Sequence, residues 1–131
     1  MTSKRHRMAV RAATAACVLG VTACGGIFEP VCTLELRSVI QLDILDSVTR
    51  APAAADATVL LRGPFTDSLT VPGTSTSSVA HVWTDDKVKP GTYSLAVRKP
   101  GYRPWSQTGI QVEWDRCHST TFDHATALLQ P

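Results

Sequence analysis

The amino-acid sequence predicts an all-β sandwich of about seven short strands, set behind a cleaved N-terminal leader. Three observations carry that prediction. Beyond residue 36, apolar residues recur with a period of two rather than 3.6. The pairs Ala51-Pro52, Gly63-Pro64, Pro72-Gly73, Pro90-Gly91 and Pro100-Gly101 interrupt those runs as turn or strand-end signals. Two cysteines, Cys32 and Cys117, stand near the two ends of the patterned region.

The leader comes first in the chain. Residues 1–11, MTSKRHRMAVR, carry Lys4, Arg5, Arg7 and Arg11 and no acid, and residues 12–21, AATAACVLGV, are apolar or small throughout. A basic head, a short apolar run and small residues at a cut site describe a secretory signal peptide. The run is about half the roughly 20 residues that a membrane span requires, and Arg11 blocks its extension backwards, so an uncleaved transmembrane helix is the weaker reading. The stretch Val21-Thr22-Ala23-Cys24 resembles the bacterial lipobox. That resemblance implies lipidation of the Cys24 thiol and cleavage immediately before it. It also implies acylation of the new amino terminus, with enough chains for a stable anchor. The predicted organisation is a lipoprotein signal peptide over 1–23, a tether over 24–33 containing Gly25 and Gly26, and a β-sandwich over 34–131. The expected location is the bacterial cell envelope. In a cell with two membranes, glycine rather than aspartate at position 25 favours the outer one.

Cleavage changes the charge. The leader removes four basic residues and no acid, leaving nine Lys and Arg against eleven Asp and Glu, so the formal +2 of the whole chain becomes −2. A near-neutral chain without a basic stripe is a poor nucleic-acid binder, and no nucleic-acid partner is expected. Of the four cysteines, Cys17 leaves with the leader and Cys24 takes the lipid. An even pair in an exported domain, Cys32 and Cys117, reads as a disulfide. The alternatives are two free thiols or a metal site, and two cysteines without CxxC spacing make a poor zinc site.

The strands follow in order. SVIQLDILD sets Ile40, Leu42 and Ile44 on one face and Gln41 and Asp43 on the other. After the Ala-rich APAAADA, read as a loop with room for one helical turn, ATVLLR alternates Ala57, Val59 and Leu61. FTDSLTV is a weaker strand. SVAHVWT admits two registers, Val79/His81/Trp83 or Ala80/Val82. TYSLAVR turns Tyr93, Leu95 and Val97 inward, and GIQVEW continues with Ile110, Val112 and Trp114. HSTTFDHATALL places Phe122, His124, Thr126 and Leu128 on one side. Pro-Gly pairs suit the centre of a type II turn, because Pro fixes φ and Gly accepts a positive one.

PGTYSLAVRKPGYRPWSQTGIQVEWDRC resembles the carboxypeptidase regulatory-like domain, a small transthyretin-like sandwich, with its Pro-Gly turn, Tyr-led strand, KPGY turn and Gly-Ile strand. DILDSVTRAPAAADATVLLRG resembles the first hairpin of the same family, in which a glycine commonly stands where this chain has Arg50. The resemblance covers most of residues 36–129. It implies a seven-stranded Ig-like topology and no catalysis.

Catalytic motifs give little. HVWT, HSTT and HATA lack the acid spacing of HxxE or HExxH, and the chain has no GxSxG elbow or phosphate loop. No cofactor and no metal are expected. Asp115, His118, Asp123 and His124 are close in sequence and offer a general-base or metal role, weighed against a sheet-edge His124 and a solvated His118 beside the disulfide. Transthyretin-like hydrolases carry a terminal Tyr-Arg-Gly-Ser motif where this sequence reads TALLQP. Tyr102, Arg103 and Trp105 form the candidate binding surface: exposed together, the aromatics would serve a protein or glycan partner, and buried, they are packing. Arg98 and Lys99 add to a local basic patch there. The expected function is a non-catalytic, lipid-anchored binding or structural module with an envelope protein or glycan as partner. The alternative is a small envelope hydrolase or metal-binding protein using His118, His124 and nearby acids.

Overall fold

The structure is a computed structural model that describes residues 31–131. The leader, Cys24 and most of the tether lie outside the described residues. Seven strands form: β1 (Ser38–Asp46), β2 (Thr58–Arg62), β3 (Asp67–Thr70), β4 (Val79–Thr84), β5 (Gly91–Arg98), β6 (Trp105–Val112) and β7 (Asp123–Leu129). They make an all-β sandwich of two sheets, a three-stranded β4-β1-β7 and a four-stranded β3-β2-β5-β6. β1 runs antiparallel to β4 and parallel to β7, while every pairing in the larger sheet is antiparallel.

Alternation sets the core. Ile40, Leu42 and Ile44 of β1 face Val59 and Leu61 of β2 and Tyr93, Leu95 and Val97 of β5 within one buried cluster. Each of these side chains is essentially excluded from solvent, and each full burial is worth about 1.5–3 kcal/mol before entropy is counted. On β7 the core-facing set is Ala125, Ala127 and Leu129; the Phe122, His124, Thr126 and Leu128 side is the outer one. Ala53 and Ala54 of the Ala-rich segment are also buried, and that segment is a loop with a turn closed by the Ala57 N–H on the Ala54 carbonyl, 3.0 Å.

Three irregularities depart from simple alternation. At the start of β1, Ser38 pairs with Thr84 but Ile40 with Trp83, so Val39 is an extra, buried residue. In β4, Leu42 pairs with His81 but Asp43 pairs with Val79, so Ala80 is an extra residue. A one-residue slip moves every later side chain to the other face. Trp83 therefore lies in the core while Val79 faces water. In β6, Tyr93 pairs with Ile110 but Leu95 with Gln107, a bulge that holds Gly109 at φ +76°. The bulge joins GIQV to the preceding WSQT as one strand, which alternation broken at Gly109 does not show.

The turns are specific. Pro100-Gly101 is a type II turn: Gly101 has φ +81° and the Tyr102 N–H donates to the Lys99 carbonyl at 3.1 Å. Pro72-Gly73 is not, because there Pro72 opens a turn closed by the Ser75 N–H at 2.9 Å. The edges of the two sheets are joined by the Trp83 indole N–H, which donates to Asp67 Oδ2 on β3 at 2.9 Å. Cys32 and Cys117 form the predicted disulfide, with Cα atoms 5.2 Å apart.

Candidate functional site

The candidate binding surface sits where the β5–β6 turn meets the end of β1. Asp46 closes β1, and its Oδ1 accepts the backbone N–H groups of Val48 and Thr49, each at 2.8 Å. Its Oδ2 accepts the Tyr102 hydroxyl at 2.9 Å. The Thr49 N–H, the Tyr102 hydroxyl and the Val48 N–H together hold the Asp46 carboxyl below the ordinary carboxylate range. The same bond, together with burial and the Asp46 charge, pushes the Tyr102 phenol up. Tyr102 is thus half-buried, with the Lys99 ammonium 5.7 Å from its ring centre. Trp105 is also half-buried and packs against the core. Arg103 is exposed, and its N–H donates to the Gln130 carbonyl at 2.8 Å. The three residues are neighbours in space, but the two aromatics do not stand exposed together. Tyr102 fastens one turn to another.

The histidines separate. His118 is buried, 9% exposed, and not solvated as the sequence suggests. It lies outside β7, in a turn bracketed by the Trp114–Ser119 bridge, and so shares no strand with His124. Its Nδ1 is 2.9 Å from Asp85 Oδ2 and its Nε2 is 3.1 Å from Thr33 Oγ1. Burial raises the Asp85 carboxyl, but the Arg37 N–H and the His118 ring outweigh it and hold the group below its usual range. An ionised Asp85 only accepts, so Nδ1 donates. Asp85 also holds the Arg37 backbone twice: its N–H donates to the Arg37 carbonyl at 3.0 Å and its Oδ1 accepts the Arg37 N–H at 3.1 Å. The network therefore binds the segment after Cys32 to the β4–β5 loop. Asp115, near His118 in sequence, meets the backbone rather than the ring: its Oδ1 accepts the Cys117 and His118 N–H groups at 2.7 and 2.8 Å.

His124 stands on the outer face of β7, where its Nε2 lies 2.8 Å from Asp43 Oδ2 on β1. No group of three or more His, Cys, Asp or Glu able to hold a metal ion occurs among the described residues. Asp85 and Thr33 as partners of His118, and Asp43 as partner of His124, are not legible in the sequence. These pairs lie 33, 85 and 81 residues apart. Nothing local signals such contacts; only the topology brings them together. Cys24 lies outside the described residues.

A scan against known protein families and a search of curated proteins find no match for the chain.

Proposed function

We propose that this protein is a bacterial envelope lipoprotein whose sandwich is a carboxypeptidase regulatory-like, transthyretin-like domain acting as a non-catalytic binding or structural module. The observation that carries the reading is the join of two features. The lipobox ends at Cys24, and a domain sealed by Cys32–Cys117 begins only eight residues later. A lipidated cysteine followed by a short Gly-containing tether and a disulfide-closed domain suits an oxidising envelope compartment. The seven strands in two sheets and the Pro100-Gly101 turn support the family resemblance. The partner is an envelope protein or a glycan.

The test is expression with a labelled fatty acid, followed by membrane fractionation. Label in the membrane-bound wild type and none in Cys24→Ala is the expected result. Equal partition of both into the soluble fraction contradicts it.

A second reading, a small envelope hydrolase, draws on one observation. Thr33, His118 and Asp85 follow the hydroxyl–imidazole–carboxylate order of an acyl-transfer triad. His124, which the sequence joined to that reading, is engaged with Asp43 instead. Asp85 already ties the Arg37 backbone, which favours a fastening role. Hydrolysis of p-nitrophenyl acetate that Thr33→Val abolishes would support the enzyme; equal rates in both proteins support the binding module.

A further inference from the structure

The outer face of the four-stranded sheet carries a site that the sequence reading did not single out. An open cavity of about 330 Å³ lies over β2, β5 and β6 and reaches Ser68 of β3. Arg62 and Arg98 line it, and no acidic residue is among its lining. Neither guanidinium has an ion-pair partner among the described residues. The leaderless chain is net negative, so two arginines without ion-pair partners in one acid-free lining represent a local segregation of charge.

Register places these arginines at opposite ends of the cavity. Arg98 pairs with Thr58 and Arg62 with Ser94, four residues apart along the antiparallel pair. That separation is roughly 13 Å along the strands. Between them the floor is Leu60 opposite Ala96, and Ser94, Ser106 and Thr108 supply hydroxyls. Hydroxyls donate and accept in turn, and planar guanidinium forks match carboxylate and phosphate oxygens.

We propose that this face binds an acidic saccharide, with its anionic groups on Arg62 and Arg98 and its hydroxyls on the serines and threonines between. The proposal rests on the binding-module reading and names its ligand class. A saccharide fits better than an acidic peptide. Peptides dock on sheets by adding a strand at an edge. The cavity instead centres on β2 and β5, whose backbones are paired on both sides, and meets the edge strands only at Ser68 of β3 and Ser106 and Thr108 of β6.

The experiment titrates the purified full chain in detergent micelles with tetragalacturonate, glucose 1,6-bisphosphate, neutral maltotetraose and a tetraglutamate peptide, followed by calorimetry. Binding of either acidic sugar at least tenfold tighter than maltotetraose, and weakened at least tenfold in R62Q/R98Q, is the expected result; which sugar binds tells carboxylate from phosphate recognition. Both substitutions are on the exposed face, and circular dichroism checks that the variant is folded. Failure of both acidic sugars to bind, undiminished binding by the variant, or equal or tighter binding of tetraglutamate would overturn the proposal. Lipid labelling at Cys24 is read separately, so loss of the groove leaves the anchoring test standing.

Discussion

Single residues govern the tight ends of this fold. Arg50 has φ +61°, a left-handed conformation that costs an L-residue roughly 1–2 kcal/mol. Its N–H donates to the Asp46 carbonyl at 3.0 Å, so the turn cannot relax without losing that bond. Glycine removes the clash but has more freedom to lose on folding. Arg50→Gly is expected to leave the protein as stable or to stabilise it by about 0.5–1 kcal/mol, read as the midpoint of urea unfolding. A clear drop would contradict the turn geometry. Tyr102→Phe should lower the melting temperature by a few degrees. The same change on an Asp46→Ala background should do almost nothing, because the two side chains share one bond. His118→Ala leaves the buried Asp85 carboxylate short of a partner and should cost about 2–3 kcal/mol in the same unfolding assay.

At the level of elements, the β6 bulge makes a sharp prediction. A Cβ at Gly109 would meet nothing within 4 Å, so the cost of Gly109→Ala is purely backbone, about 1–2 kcal/mol at φ +76°. A neutral result in thermal unfolding would remove the positive-φ bulge. Much of the element layout was legible in the sequence. β2 and β5 alternate without interruption and β1 does so from Ile40 onward, so the buried sets Ile40/Leu42/Ile44, Ala57/Val59/Leu61 and Tyr93/Leu95/Val97 follow from period alone, whereas Val39, buried beside Ile40 at the start of β1, does not. β4 and β6 were harder because each carries an extra residue, and a bulge erases period two at the point where it matters. The candidate surface was legible as a neighbourhood but not as a role. Spacing cannot show that Tyr102 is bound to Asp46, 56 residues away, or that Arg62 and Arg98 share a face.

For the whole molecule, the disulfide and three hydrogen-bonded acids set the conditions of stability. Cys32–Cys117 closes 85 residues and, in the chain-entropy model, stabilises by roughly 4–5 kcal/mol. Cys32→Ser should melt well below wild type without reductant, and reductant should lower wild type toward the variant. Identical melting with and without reductant would contradict a closed bridge. Acid should also unfold the domain. The carboxyls of Asp46, Asp85 and Asp115 all lie below their unfolded values in the native state. Asp115 is lowered chiefly by the His118 and Cys117 N–H groups. The unfolded chain therefore takes up these protons first, and the stability they confer is complete above about pH 4 and lost as pH falls below it. Melting temperature measured from pH 6 to pH 2.5 should fall below pH 4, less steeply in Asp85→Asn. The proposed anchoring of the molecule is tested most directly by the mass of the N-terminal peptide recovered from the membrane fraction. A peptide beginning at Cys24 and carrying diacylglyceryl and acyl groups is the predicted result. A peptide beginning at Met1 or Thr2, with an unmodified Cys24, would contradict it.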